Sequence, residues 1–335
     1  MTGIPGRFWT AVRREPLLPV LVVLLLALAV SYHGFATVAN VRNIAIQASP
    51  LIIAAVGMTY VIMTAGIDLS VGSMLFLAAA IESSPAVVSR PTPVVFAVIG
   101  AAGVLMGLLN GVAVAFSSVP ALIVTLATMQ VFRGAGGHIT GQQNIDLPAH
   151  LRGIGTGTLV GVPTPVLLAA AVALGGGVVF RRTAFGRYVQ AVGSSPDAAV
   201  NAGLPVGRVL VGAYALAGML AAVASLCQTA RLGTVQPSIG QGFELTVITA
   251  VVLGGTSLFG GRGSISGTVL GALVLTTVQT GLVFSGASPY VFDIVRGGVL
   301  LAAVLAAGAR WRNFAHAVGL AGRRGPARAD GWNTT

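Results

Sequence analysis

The sequence predicts an all-α, polytopic integral membrane protein with about ten transmembrane helices, some of them broken or re-entrant. Three observations lead there. Of the 335 residues, 55% are hydrophobic and only 8% charged, against roughly a quarter charged in a soluble domain. A chain this apolar cannot cover its surface with polar groups, so its solvent is lipid. Apolar stretches of about 20 residues, the length that crosses a bilayer, recur along the chain. Short polar or Gly- and Pro-rich breaks separate them.

Taken in order, the expected spans are Leu17–Phe35, Ile44–Ala65, Leu69–Val88, Pro93–Phe116, Pro120–Thr140, Thr164–Phe180, Val209–Arg231, Phe243–Leu258, Ser264–Phe284 and Pro289–Ala309. Residues 1–16 form a short N-terminus, 17–309 the membrane domain, and 310–335 a basic tail. The run Leu17–Val30 follows Arg7, Arg13 and Arg14, as in a signal peptide, but no small-residue cleavage site follows it. It reads as an uncleaved first span.

All 19 basic residues are Arg, and the formal charge is +11. The arginines sit in loops and at span ends, as topology signals do, rather than in one basic patch for nucleic acid. With the N-terminus inside, 13 of the 19 fall on the cytoplasmic side, and the tail is cytoplasmic too. Cys227 is the single cysteine and reads as a small buried hydrophobe. His33, His138, His150 and His316 lack zinc-ligand spacing, so no metal site is expected.

Small residues recur at helix-packing spacing. Gly103, Gly107 and Gly111 lie on one stripe, and Gly263, Gly267 and Gly271 on another. In lipid, close approach at small residues drives helix association, here within one subunit or at a seam between copies. The breaks Gly66–Gly72 and Gly254–Gly261 interrupt long apolar regions. Each is either a broken helix beside a pathway or a tight interfacial turn.

No catalytic motif is present. There is no G-x-S-x-G elbow and no H-E-x-x-H. A P-loop needs a Lys, and the chain has none, so no ATP site is expected in it. Eight acidic residues occur, which makes each informative. Asp68 either caps a helix beginning at Leu69 or is a functional charge at depth. Glu244 and Arg231 are expected to pair, or to act in gating. Asp293 and Arg296 lie three apart on one helix face.

The segment Arg181–Pro205 is polar and amphipathic. Ser195 can N-cap, Pro196 suits the first helical position, and Asp197 complements the dipole. Gly203 and Pro205 end the short helix Pro196–Ala202. An ordered helix between two spans suggests a docking element for a cytoplasmic partner, or an amphipathic helix on the membrane surface.

Three blocks carry a family resemblance: Gly57–Ser73, Gly186–Gly203, and Gly242–Leu258 with the turn Gly260–Ser264. Together, in order, they resemble the membrane permeases of bacterial ABC importers of the ribose, xylose, arabinose and galactose group. The resemblance implies a permease subunit in the bacterial inner membrane that translocates a pentose or hexose. Its implied partners are a second permease copy or paralogue, ATPase subunits that carry the ATP and Mg, and a periplasmic or lipid-anchored sugar-binding protein. It places coupling to the ATPase at Gly186, Arg187, Tyr188, Ala191, Gly193, Ser195, Pro196, Ala199, Ala202 and Gly203. Candidates for the pathway or its gate are Asp68, Ser70, Asn110, Arg231, Glu244, Thr249 and Gln279. Arg42, Arg90 and Arg152, expected outside, are candidates to meet the binding protein.

The chain departs from the family where Thr280-Gly281-Leu282 replaces a commoner Asn-Gly-Leu, and in Ser288–Asp293. Both bear on the solute. Autoinducer-2, a polyol or another small polar solute is the alternative cargo. An ion-coupled secondary transporter is the rival mechanism. It would rely on Asp68 and Glu244 and leave the docking helix without a role.

Overall fold

The computed structural model describes residues 15–317. The chain is a helical bundle. Helix α1 is Leu17–Ser31, α2 Val38–Met63, α3 Val71–Ser83, α4 Pro85–Val88, α5 Thr92–Phe116 and α6 Ala121–Thr140. Then come α7 Ala149–Thr156, α8 Thr164–Arg182, α9 Ala184–Ser194, α10 Pro196–Asn201 and α11 Val206–Leu232. The last three are α12 Phe243–Leu253, α13 Ile265–Phe284 and α14 Pro289–Ala317. The arginine-bearing N-terminus before residue 15 and the tail beyond 317 lie outside the described residues.

Strand structure is minimal. Strand β1 (Ile145–Asp146) pairs antiparallel with β4 (Thr234–Val235), Ile145 opposite Val235. Strands β2 (Thr158–Leu159) and β3 (Val162–Pro163) form a tight hairpin.

Among the described residues, α2, α5, α8, α11 and α13 are long and apolar enough to cross a membrane. The apolar helices α1, α3 and α12 are shorter. Five helices of crossing length among the described residues do not confirm the expectation of about ten, some of them broken, which also counted α1, α3, α12, α6 and α14. Expected span three divides at Ser84 into α3 and α4, and expected span eight stops at Leu253. Conversely, α14 continues to Ala317, into the stretch assigned to the tail.

The core is built on α2 and α11. The apolar window of α2 is 89% buried, against 17% for α8, whose apolar surface faces outward and suits lipid. The two glycine stripes pack within the chain. Gly103, Gly107 and Gly111 meet the main chain of α11 around Val211, Tyr214 and Gly218. Gly267 and Gly271 bring α13 onto the carbonyls of Gly254 and Ala250 at the end of α12. A Cβ at these points would strike backbone, so close helix approach requires glycine there.

The helices define two ends. The near end holds the C-terminus of α2, Gly207 beside Phe116, and the contact of α9 with Met63 and Gly261. The far end holds the ring contacts of Phe284 with Tyr32 and Phe35, and the β1–β4 pairing.

Candidate functional site

The first break, residues 64–70, is non-helical and enters the bundle from the near end. Ala65 adopts φ +61°, outside the range an L-residue holds in a helix. Asp68 is fully buried. Its Oδ1 accepts from the Ser70 amide at 2.8 Å and from Ser70 Oγ at 2.6 Å. Asn110 Nδ2 on α5 reaches Asp68 Oδ2 at 3.4 Å and Ser70 Oγ at 2.8 Å. Thr125 Oγ1 on α6 accepts from the Leu69 amide at 3.2 Å and donates to the Ile67 carbonyl at 3.2 Å.

Asn110 precedes the end of α5 by six residues and Thr125 follows the start of α6 by four, ~9 Å and ~6 Å along those axes. Asp68 therefore lies inside the bundle rather than at its rim. Its helix starts at Val71, not Leu69. Asp68 thus closes a turn onto Ser70, and the side chain of Ser70 itself makes no capping bond. The carboxylate is compatible with burial because donors from two elements and the nearby N-terminus of α3 compensate it.

The second feature is a ledge at the near end, formed by α9 and α10. Thr183 caps α9 through the Gly186 amide at 3.3 Å, and Ser195 caps α10 through the Ala198 amide at 3.3 Å. Phe185 stacks on Tyr60 of α2, ring centroids 5.8 Å apart. Tyr60 donates from its hydroxyl to the Gly176 carbonyl of α8 at 2.5 Å. Gly193 lies directly on the Met63 carbonyl, which also accepts from the Gly261 amide at 2.9 Å. The ledge is thereby joined to both breaks: Met63 opens the first, and Gly261 belongs to the second.

Only part of the expected coupling set faces outward. Gly186, Gly193 and Ala199 are buried, and Tyr188, Ala191 and Ser195 are half-buried. Arg187, Pro196, Ala202 and Gly203 are exposed. Asp197, Ala198, Asn201, Arg208 and Val200, whose side chain is 60% exposed, complete the outward face.

Over residues 40–304 the chain matches the family described as branched-chain amino acid transport system / permease component. The ribose import permease protein RbsC of Haemophilus influenzae is 40% identical over 294 residues, 85% of this chain and 90% of that one. RbsC of Bacillus subtilis is 38% identical over 292 residues, 85% and 89% of the two chains. The L-arabinose ABC transporter permease protein AraH of Azospirillum brasilense is 33% identical over 304 residues, 90% and 89%. The chain belongs to the permease family of ABC sugar importers. No solved structure matches it.

In this permease the remaining candidates are scattered. Arg42, Arg90 and Arg152 are all exposed, at the far end. Gln279 is exposed on α13. Thr249 is buried, and its hydroxyl donates to the Leu245 carbonyl of its own helix at 2.6 Å. The expected Arg231–Glu244 ion pair does not form. Arg231 has a buried Nε without a partner among the described residues. Glu244 instead lies against Gly72, within electrostatic reach of Arg133. The Asp293–Arg296 pair does form, at 2.9 Å.

Sequence reasoning passed over Glu82 and Arg133. Glu82 is fully buried near the end of α3, where Thr229 Oγ1 of α11 donates to it at 2.7 Å. The signal for both was available: an ionisable residue inside an apolar stretch of a chain with only 8% charged residues.

Proposed function

We propose that this permease is the pore-forming subunit of an ATP-driven importer for a monosaccharide, a pentose or a hexose. The near end is cytoplasmic, with both termini there and about ten membrane-embedded helical segments in all. Two permease copies, or this chain and a paralogue, enclose the pore. ATPase subunits supply ATP and Mg chemistry from below, and a sugar-binding protein delivers solute to the far end, where Arg42, Arg90 and Arg152 are exposed.

The ledge carries this reading. Its outward face is free, while its inward face rests main chain to main chain on Met63 and Gly261. A push on α9 and α10 therefore reaches both breaks without a flexible side chain between. An ion-coupled transporter has no use for such a ledge. The names of the relatives point the same way.

The test is reconstitution of the chain with the ATPase and solute-binding protein encoded beside it. Uptake of a pentose or hexose that needs both ATP and the binding protein is expected. Uptake of only a polyol or autoinducer-2 would move the cargo and keep the mechanism. Uptake driven by an ion gradient without ATP would overturn the reading.

A further inference from the structure

Between β4 and α12 the chain dips into the bundle from the far end. Gly240, at φ +76°, lies main chain to main chain against Gly72 at the start of α3. Gly242, at φ +69°, then opens α12. Two arginines from opposite sides hold this loop. Arg133 of α6 donates through one terminal nitrogen to the Ile239 carbonyl at 2.8 Å and the Pro237 carbonyl at 3.5 Å. Arg296 of α14 donates to the Gly242 carbonyl at 2.9 Å and to Thr246 Oγ1 at 2.8 Å. Arg133 lies seven residues before the end of α6, and Arg296 seven after the start of α14, ~10 Å along each axis. Both guanidinium groups thus act at similar depth.

Charges at that depth need a reason. Stability alone is a poor one, since the loop carbonyls could be satisfied by neutral donors. Beside the Asp293 carboxylate on Arg296, the partners here are three neutral carbonyls and the Thr246 hydroxyl, which a sugar hydroxyl can replace as acceptor. The Glu244 carboxylate faces the same place, against Gly72 and without an ion pair to either arginine. The Phe76 ring lies beneath Arg133, its centroid 4.8 Å from the guanidinium carbon. Planar donors and a carboxylate acceptor can hydrogen-bond adjacent hydroxyls on a sugar ring.

We propose that the loop Gln236–Gly242 is a gate across the solute path, latched by Arg133 and Arg296, and that a sugar opens it by taking over those hydrogen bonds, with Glu244 accepting from its hydroxyls. This rests on the importer reading above and adds the place and chemistry of solute contact. Glycines at both turns of the loop supply the freedom to move.

The test uses the complete reconstituted importer and D-ribose as probe. Arg296→Gln and Arg133→Gln are expected to raise ATP-independent efflux of preloaded ribose by about tenfold, the change that loss of a charge-assisted hydrogen bond corresponds to. Glu244→Gln should raise the KM for uptake. If the arginine variants fail to assemble, Gln241→Cys in the otherwise native chain gives a second reading through an impermeant maleimide, since Gln241 is exposed and Cys227 is buried. Its labelling rate should change on addition of ribose-loaded binding protein and ATP. Wild-type leak in assembled arginine variants, a wild-type KM in Glu244→Gln, or an unchanged labelling rate would overturn the gate. If the wild-type importer moves no sugar with ATP, it is the importer reading that fails, and the latch falls with it.

Discussion

The two ends of the bundle hold their irregular backbone in different ways. At the near end Gly193 rests on the Met63 carbonyl, and Gly260 on the Gly193 carbonyl, with no side chain between. At the far end one such main-chain contact, Gly240 on Gly72, is joined by Arg133 and Arg296, which hold the rest of the loop before α12 through long stems. Packed main chains have no slack and move together. A side-chain bond to a carbonyl can be exchanged for one to water or a hydroxyl at little net cost. The first arrangement suits passing on a displacement; the second suits letting go. The same chain therefore supplies a stiff junction where the ATPase is proposed to push and a releasable latch where the solute is proposed to enter.

Adding one carbon to the stiff end should have the largest effect. The Cβ of Gly193→Ala would enter the Met63 carbonyl, and overpacking of this kind costs about 1–3 kcal/mol. A lower melting midpoint in detergent and a loss of ATP-driven uptake are expected. An unchanged midpoint would mean the junction has slack and the contrast with the far end disappears.

Two buried carboxyl groups, Asp68 just before α3 and Glu82 near its end, sharpen the comparison through stability alone. Asp68→Ala strips an acceptor from Ser70 and Asn110 and should cost about 1.5–3 kcal/mol. Glu82 sits near the C-terminal, negative end of the same helix, and its Oε1 has no partner among the described residues. Glu82→Gln keeps an acceptor for Thr229 and removes the charge. Its midpoint should match or exceed that of the native chain. A loss as large as that of Asp68→Ala would show that Glu82 is held by contacts the side-chain hydrogen bonds do not reveal.

Much of this was legible in the sequence. Composition gave the membrane class. Glycines at intervals of four marked α5 and α13 as helices in close contact, while their partners, α11 and the end of α12, came only from the structure. Ser195 and Pro196 gave the start of α10. Span length was less legible, since hydropathy does not distinguish a full crossing from a half-helix such as α3 or α12. The Arg231–Glu244 pair failed because Glu244 lies against Gly72 and within reach of Arg133, both from distant parts of the chain, while the Arg231 Nε stays buried without a partner among the described residues. The inward face of α9 could have been found: Phe185, Val189 and Val192 recur at helical spacing, which places Gly193 with them and Arg187 opposite.

The most direct test of the account concerns the ledge. Val200 is an apolar side chain 60% exposed at its tip, so Val200→Asp should leave stability within about 0.5 kcal/mol. Native and variant chains would be purified by a tag after expression with the neighbouring ATPase, and the co-purifying ATPase measured. The account predicts equal melting midpoints, with ATPase retained by the native chain and lost by the variant. Equal ATPase on both chains would contradict docking at this ledge.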